Sequence, residues 1–376
     1  MSNNLQNLFP VLRTRQDLLQ EIQTHSHLLT QFQGWSPEQQ KDFLDFCTGA
    51  KGVKMLYDSF FKEIMNPETT PERLEEFLSL VLEQEVTILT VLPNDSTRIA
   101  DENSLLIMDI VVELSDGSIA NVEVQKIGYA FPGQRCACYS ADLLLRQYKR
   151  VRSEKKKLFS YRDIKKVYTI ILFEKSTKEF HEFPNIYVHH SEQKSDTGLK
   201  LELLQDYTFI ALDIFQKNLQ NKGISNQLDA WLTFLSVDEP ETIVNLITTF
   251  PQFKPMYDEV YQLCRNTEKV MEMFSKELQE LDRNTVQYMI DEMQDMINAQ
   301  KGQIETQQDT IDAQQGKIDA QQDTIDAQQG KIDAQQDTIA TQQGKIDAQQ
   351  GTIDAQQLKL SEMEQELLEL RKKLSE

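Results

Sequence analysis

Apolar positions along the chain follow two different periods, and the change between them divides the protein. Over residues 1–90 they recur at three- and four-residue spacing. In "TTPERLEEFLSLVLEQEV", Leu74, Phe77, Leu78, Val81 and Leu82 form one stripe of a helix. Start signals agree with that period. "SPEQQ" offers Ser36 as an N-cap, Pro37 at the first position and Glu38 and Gln39 in the first turn, and Thr70 repeats the design. From Val86 the texture turns to short β-branched runs: "VTILTVL", "IMDIVVEL", "SIANVEVQ", "VYTIILF", "NIYVHH" and "FIALDIF". Between the third and fourth lies "GQRCACYSADLLLRQYKRV", long and periodic enough for a helix. A strand–helix–strand crossover follows, so the sheet is expected to be mixed and the protein α/β. Residues 222–295 return to helical texture, with Trp231, Phe234 and Leu235 as core.

A third pattern closes the chain. Ile304, Ile311, Ile318, Ile325, Ile332, Ile339, Ile346 and Ile353 fall every seven residues, mostly inside "IDAQQGK" or "IDAQQDT". Leu360, Met363, Leu367, Leu370 and Leu374 then alternate by three and four and set the register. The isoleucines become a positions, and Gln307, Gln314 and their successors become d positions. A strict seven-residue period implies left-handed supercoiling against a partner helix. Gln at d and glycines at 316, 330, 344 and 351 weaken it, each interior glycine by up to about 1 kcal/mol. A marginal coiled coil of unspecified strand number is expected, the alternative being a disordered low-complexity tail.

The run Ile107–Gln125, "IMDIVVELSDGSIANVEVQ", reads as a β-hairpin with two possible registers. A two-residue Asp116-Gly117 turn sets Asp109 opposite Val124 and mixes carboxylates with aliphatics on both faces. A three-residue Ser115-Asp116-Gly117 loop, with Gly117 left-handed as a bulge, shifts pairing by one. Ile110, Val112 and Leu114 then share a face with Ala120, Val122 and Val124, and hydrophobic segregation selects this register. The other face carries Asp109, Glu113, Asn121, Glu123 and Gln125, with Asp109 directly across from Glu123. Like charges so placed repel. Two readings of that face stand: a solvated antiparallel surface, the commoner outcome on spacing alone, and a Mg²⁺ or Mn²⁺ site, since paired oxygen ligands with open positions suit such ions.

Charge changes the picture in one place. The net charge of −21 argues against a protein that coats nucleic acid. Yet Arg146–Lys166, "RQYKRVRSEKKKLFSYRDIKK", holds ten basic residues and two acidic ones, a local island that fits a DNA backbone only if a site lies beside it. The longest apolar runs are of strand length, so no membrane span is expected. "MSNNLQNLFPVLRTRQDLLQ" lacks a basic start and an apolar signal core, which points to the cytoplasm. Four scattered cysteines suit a reducing compartment, and Cys136-x-Cys138 without a second pair reads as small buried hydrophobes rather than a zinc site. His189 and His190 are adjacent on a strand and point apart, so they are not joint ligands.

At the hairpin the sequence resembles a known family. "VLPNDSTRIADENSLLIMDIVVELSDGSIANVEVQ" followed by "FPGQRCACYSADLLLRQY" is similar to the PD-(D/E)XK nuclease family of transposases, close to the recombination-promoting nucleases. The similarity runs from about Met55 to Phe215 and is most specific at Asp109-Ile110, Asp116-Gly117 and Glu123-Val124-Gln125. It implies a restriction-endonuclease-like mixed sheet flanked by helices, cutting DNA with Mg²⁺ (or Mn²⁺). Asp109 and Glu123 become the metal-binding acids, and Gln125 stands where the wider superfamily carries a lysine. Arg135, Tyr139 and Gln147 match the R…Y…Q pattern of the following helix. An acid from an upstream helix completes such sites; Glu72 is the position chosen, with Glu76 close behind. A glutamine at 125 can only donate and accept hydrogen bonds. Strand alternation turns Lys126 to the opposite face, which leaves Arg135 or Lys149 to supply positive charge.

The expectation is therefore a helical N-terminal extension (1–54), a nuclease-like core (55–221), a helical region (222–295) and a heptad-repeat coiled coil (296–376). The function expected is metal-dependent hydrolysis of DNA phosphodiester bonds by a homo-oligomer, with Lys149, Arg150, Arg152, Lys155, Lys156 and Lys157 on the DNA backbone. The alternative is a catalytically inactive DNA-binding or scaffold protein that retains the fold.

Overall fold

The structure is a computed structural model that describes residues 4–93, 109–126 and 132–374. Ile107, Met108 and the block 94–106 of the family resemblance lie outside the described residues, as does Phe131. The N-terminal part is helical as its pattern requires: α1 (Asn4–Leu8), α2 (Arg15–Thr24), α3 (Ser26–Gln33), α4 (Pro37–Cys47), α5 (Asp58–Ile64) and α6 (Pro71–Leu82). Ser36 caps α4 in a full capping box with Gln39. Thr70 does not cap α6: its side chain makes no cap bond, and its hydroxyl lies 3.3 Å from the Asn66 carbonyl oxygen instead.

Six strands follow in one sheet: β1 (Ile88–Val91), β2 (Ile110–Leu114), β3 (Ile119–Gln125), β4 (Val167–Phe173), β5 (Val188–Ser191) and β6 (Gln205–Ala211). Their spatial order is β1-β2-β3-β4-β6-β5. β3 with β4 and β4 with β6 are parallel, and the remaining pairs are antiparallel, so the sheet is mixed. The crossover from β3 to β4 runs through α7 (Pro132–Lys155), and a short α8 (Lys178–His181) precedes β5. One expected strand is displaced. "FIALDIF" is strand only to Ala211, and Leu212 opens α9 (Leu212–Lys222) with Asp213 in its first turn. Apolar residues continue across that junction without a turn residue, so composition alone gave no sign of the change in period.

α10 (Gln227–Ser236), α11 (Pro240–Thr249), α12 (Lys254–Leu263) and α13 (Thr267–Leu374) complete the chain. The chain divides into two units, Met1–Met293 and Gln294–Glu376. In the first, one core joins the N-terminal helices to the later ones. Phe9 packs on Tyr261, Trp35 lies edge-on to Phe274, and Phe77 meets Trp231. Ile110, Val112, Ala120, Val122, Ile170 and Ile210 bring one face of the sheet into the same core. The second unit is helical. Its heptad isoleucines are half exposed along the single helix, and glutamines bond aspartates four residues on at 2.8 Å, for example Gln315 to Asp319 and Gln322 to Asp326. No helix among the described residues is long and apolar enough to cross a membrane.

Candidate active site

The hairpin adopts the bulged register. Ile110 pairs with Val122, Val111 with Asn121, Val112 with Ala120 and Glu113 with Ile119; Asp109 precedes the first of these pairs and lies close enough to Glu123 to repel it. Gly117 sits at φ 86°, its amide donating to the Leu114 carbonyl oxygen at 2.9 Å, while the Leu114 amide reaches Ser118 O at 2.8 Å. A side chain at 117 would be strained at that φ and would crowd Lys165.

The face that carries the acids is not wholly polar. Toward the turn, Val111 and Ile119 join Val167 of β4 and Tyr139 and Leu143 of α7 in a small apolar cluster. Toward the far end, Ile171 and Phe173 pack with Cys136. Between these clusters lie Asn121, Glu123 and Gln125 of β3 with Thr169 of β4, all buried beneath α7. An exposed antiparallel surface would have left these groups in water. Here they are dry.

Burial therefore governs the acids. It pushes Glu123 up to about 8, with Asp109 adding repulsion; the Asn121 hydrogen bond at 2.8 Å and Arg135 pull the other way. Burial likewise pushes Asp109 up to about 6, opposed by Lys62 and by a 2.7 Å hydrogen bond from the Val124 amide, and reinforced by Asp58. The cation at Asp109 is one the sequence pattern did not single out: Lys62 of α5 places Nζ 3.5 Å from Asp109 Oδ1 and 2.7 Å from Asp58 Oδ1. Its spacing on a short amphipathic helix carried no signal of a site; only the packing of α5 reveals it.

Several expected residues fall elsewhere. Glu72 is exposed in the first turn of α6, whose Leu74, Phe77 and Leu78 face inward, and no third acidic, histidine or cysteine side chain joins Asp109 and Glu123 in a metal-ligating group among the described residues. Glu76 is exposed and accepts from Gln227. The acid from an upstream helix that lies nearest in electrostatic terms is Asp58. Gln147 stands at the turn end of the hairpin, its carboxamide tying Gly117 O at 3.3 Å and the Lys165 amide at 2.7 Å, so it clamps the loop rather than the acids. Arg135 stays with the site, its guanidinium 5.3 Å from the Tyr139 ring and acting on Glu123. Lys149 lies 14 residues further along α7, about 21 Å at 1.5 Å per residue, too far to supply charge at Glu123. Glu113 is paired with Arg150 at 2.7 Å, away from the acids.

The basic island is thinned by internal pairing. Arg150 is engaged by Glu113, and Lys155 by Asp163 at 2.6 Å. Lys149, Arg152, Lys156 and Lys157 are exposed, and no ion pair engages them among the described residues. Arg152 lies over the Tyr148 ring, which stacks with the exposed Tyr161.

The polar middle of the face fits a hard cation. Asn121 Oδ1, both atoms of the Gln125 carboxamide and Thr169 Oγ1 are buried without a hydrogen-bond partner among the described residues. With the half-buried Asp109 and the buried Glu123, these oxygens are the groups that could hold Mg²⁺ or Mn²⁺, ions content with one or two protein carboxylates plus water or phosphate. A family model described as PD-(D/E)XK nuclease family transposase matches residues 55–293. No curated protein and no solved structure matches the chain. The family match extends past Phe215, where the sequence resemblance ended, and takes in α9 to α12 and the base of α13.

Proposed function

Because this chain belongs to the PD-(D/E)XK nuclease family of transposases, we propose that it is a divalent-metal-dependent DNA endonuclease whose acids are Asp109 and Glu123. One observation carries the reading: the carboxylates of Asp109, half-buried just before β2, and of Glu123, buried on β3, repel each other, each with its acidity suppressed, beside amide oxygens that nothing satisfies among the described residues. Such an arrangement is costly in an apolar interior and is relieved by a bivalent cation. Bound there, Mg²⁺ would lower the pKa of an attacking water and polarise a phosphoryl oxygen.

The chain's own groups do the rest. The Val124 amide and the Asn121 carboxamide fix the two carboxylates in place. Gln125 orients a water or a phosphate by hydrogen bonds but offers no charge. Lys62, already beside Asp109, is the cation placed to stabilise charge that develops on the phosphate. Lys149 and Arg152 lie about 21–26 Å along α7 from Arg135, within one turn of a DNA duplex, and with Lys156 and Lys157 just past the end of α7 they suit flanking phosphates. The heptad repeat pairs or clusters chains, which brings more than one site to the two strands. The cysteines are unpaired thiols, which fits the cytoplasm as the compartment.

One observation favours the second reading, an inactive DNA-binding scaffold: Gln125 replaces the lysine, and Lys62 already neutralises Asp109. Plasmid nicking separates the two. The nuclease reading expects nicking in Mg²⁺ or Mn²⁺ that Asp109→Ala and Glu123→Ala abolish without unfolding the protein. Salt-sensitive DNA binding without cleavage in any divalent ion would favour the scaffold.

A further inference from the structure

A second buried charge cluster lies one residue beyond Gln125. Lys126 is 8% exposed, and its ammonium donates to the Leu56 carbonyl oxygen and lies 3.1 Å from Glu277 Oε1 and 5.0 Å from the Tyr57 ring centroid. Glu277 comes from the base of α13 and is 1% exposed. Its other oxygen accepts from the Asp58 amide at 2.9 Å. That amide opens α5, whose N-cap residue Tyr57 provides no side-chain cap. Glu277 therefore acts as the missing N-cap of α5 from 219 residues away.

One carboxylate thus holds two elements that frame the proposed site. It grips the start of α5, which carries Asp58 and Lys62 toward Asp109. It also grips Lys126, the residue that follows the Glu123–Gln125 stretch of β3. The Glu174 amide, bonded to the Gln125 carbonyl at 2.9 Å, secures the same point from β4. Stability alone does not call for charges here. A buried ion pair is commonly matched or bettered by apolar residues of similar volume, whereas a fixed hydrogen-bonded pair specifies relative position.

We propose that Glu277, with Lys126, is a positioning residue that sets the spacing between α5 and the end of β3 and so shapes the divalent-cation site at Asp109 and Glu123. The proposal rests on the nuclease reading above, and its test reads cation binding without DNA. Mn²⁺ binding to the full-length chain is measured by loss of the free-ion electron paramagnetic resonance signal, for the wild type and for the double variant Lys126→Met with Glu277→Leu. Thermal unfolding is followed alongside. Removing both charges together leaves no unpaired buried charge, although the Asp58 amide and the Leu56 carbonyl lose their partners, so the melting temperature is expected to fall modestly, with the fold retained, while Mn²⁺ affinity falls by about tenfold or more, as supporting groups behind metal ligands do. Glu277→Gln, which keeps an acceptor for the Asp58 amide but loses the ion pair, is the second variant and is expected to lose affinity by a smaller factor. Wild-type affinity in folded variants would overturn the positioning role and leave the nuclease reading intact. No Mn²⁺ uptake by the wild type would overturn both.

Discussion

The Asp109 carboxylate accepts a hydrogen bond from the backbone amide of Val124, 2.7 Å away, so the first acid is anchored to the strand residue next to the second. That anchor keeps the Asp109 carboxylate close enough to repel Glu123. Their mutual repulsion is therefore built in, and the consequences below follow from how it is relieved.

Stability without a bound cation should fall as pH rises. Both acids have folded-state values above their unfolded ones, about 6 for Asp109 and about 8 for Glu123. Between the ordinary carboxylate range and those values the folded state binds more protons than the unfolded one. Stability is thus fully present below about pH 4 for these groups and is lost progressively up to about pH 8. The melting temperature in EDTA is expected to drop across that window, and added Mn²⁺ is expected to flatten the slope by favouring the ionised forms. Glu123→Gln should flatten it without metal. A slope in EDTA that Glu123→Gln leaves unchanged would place its source elsewhere.

Lys62 should show opposite effects on binding and chemistry. Lys62→Met removes a cation that competes for Asp109, so Mn²⁺ should bind more tightly. Cleavage should nonetheless slow by about 10²-fold or more, the usual loss when one charge-stabilising donor is removed. Single-turnover cleavage at saturating Mn²⁺ measures the second effect alone. A Lys62→Met enzyme with wild-type rate would assign Lys62 to structure.

The basic island should act through salt. Replacing Lys149, Lys156 and Lys157 by alanine is expected to reduce the slope of log K against log salt by about 0.9 for each phosphate left without its cation. Arg150→Ala should not follow that rule, because Arg150 is occupied by Glu113 at 2.7 Å; its removal is expected to show in the melting temperature. Equal effects on the DNA slope would mean that the Glu113 pair opens on binding.

Self-association should reside in the heptads. A chain ending at Asn298 retains the whole of the first unit, which closes at Met293, and is expected to be folded and monomeric by light scattering. Full-length protein is expected to be oligomeric through the half-exposed isoleucine stripe, weakly because glutamine fills the d positions. An oligomeric truncation would move the interface into the first unit.

The sheet, its crossover helix and the hairpin register were legible because each rests on a local pattern: short β-branched runs, a long helical period, a Gly117 bulge. The Asp109–Glu123 pairing came from that register alone. What stayed hidden depends on packing between distant segments. Lys62 and Asp58 reach Asp109 only because α5 docks there, and Glu277 reaches Asp58 and Lys126 across most of the chain. Glu72 had a suitable charge on a suitable helix, but the apolar stripe of α6 turns it to solvent. The apolar half of the acidic face was missed for a similar reason. Val111 and Ile119 alternate with the acids in phase and reveal their role only once α7 covers them.

The most direct test is crystallographic. Crystals of the full-length protein soaked in Mn²⁺ are measured at a wavelength where manganese scatters anomalously. A single anomalous peak in contact with the carboxylates of both Asp109 and Glu123, absent in Glu123→Gln crystals, is the expected result. Carboxylates bridged by the Lys62 ammonium with no peak between them, in crystals that bind Mn²⁺ elsewhere, would contradict a metal site at this pair.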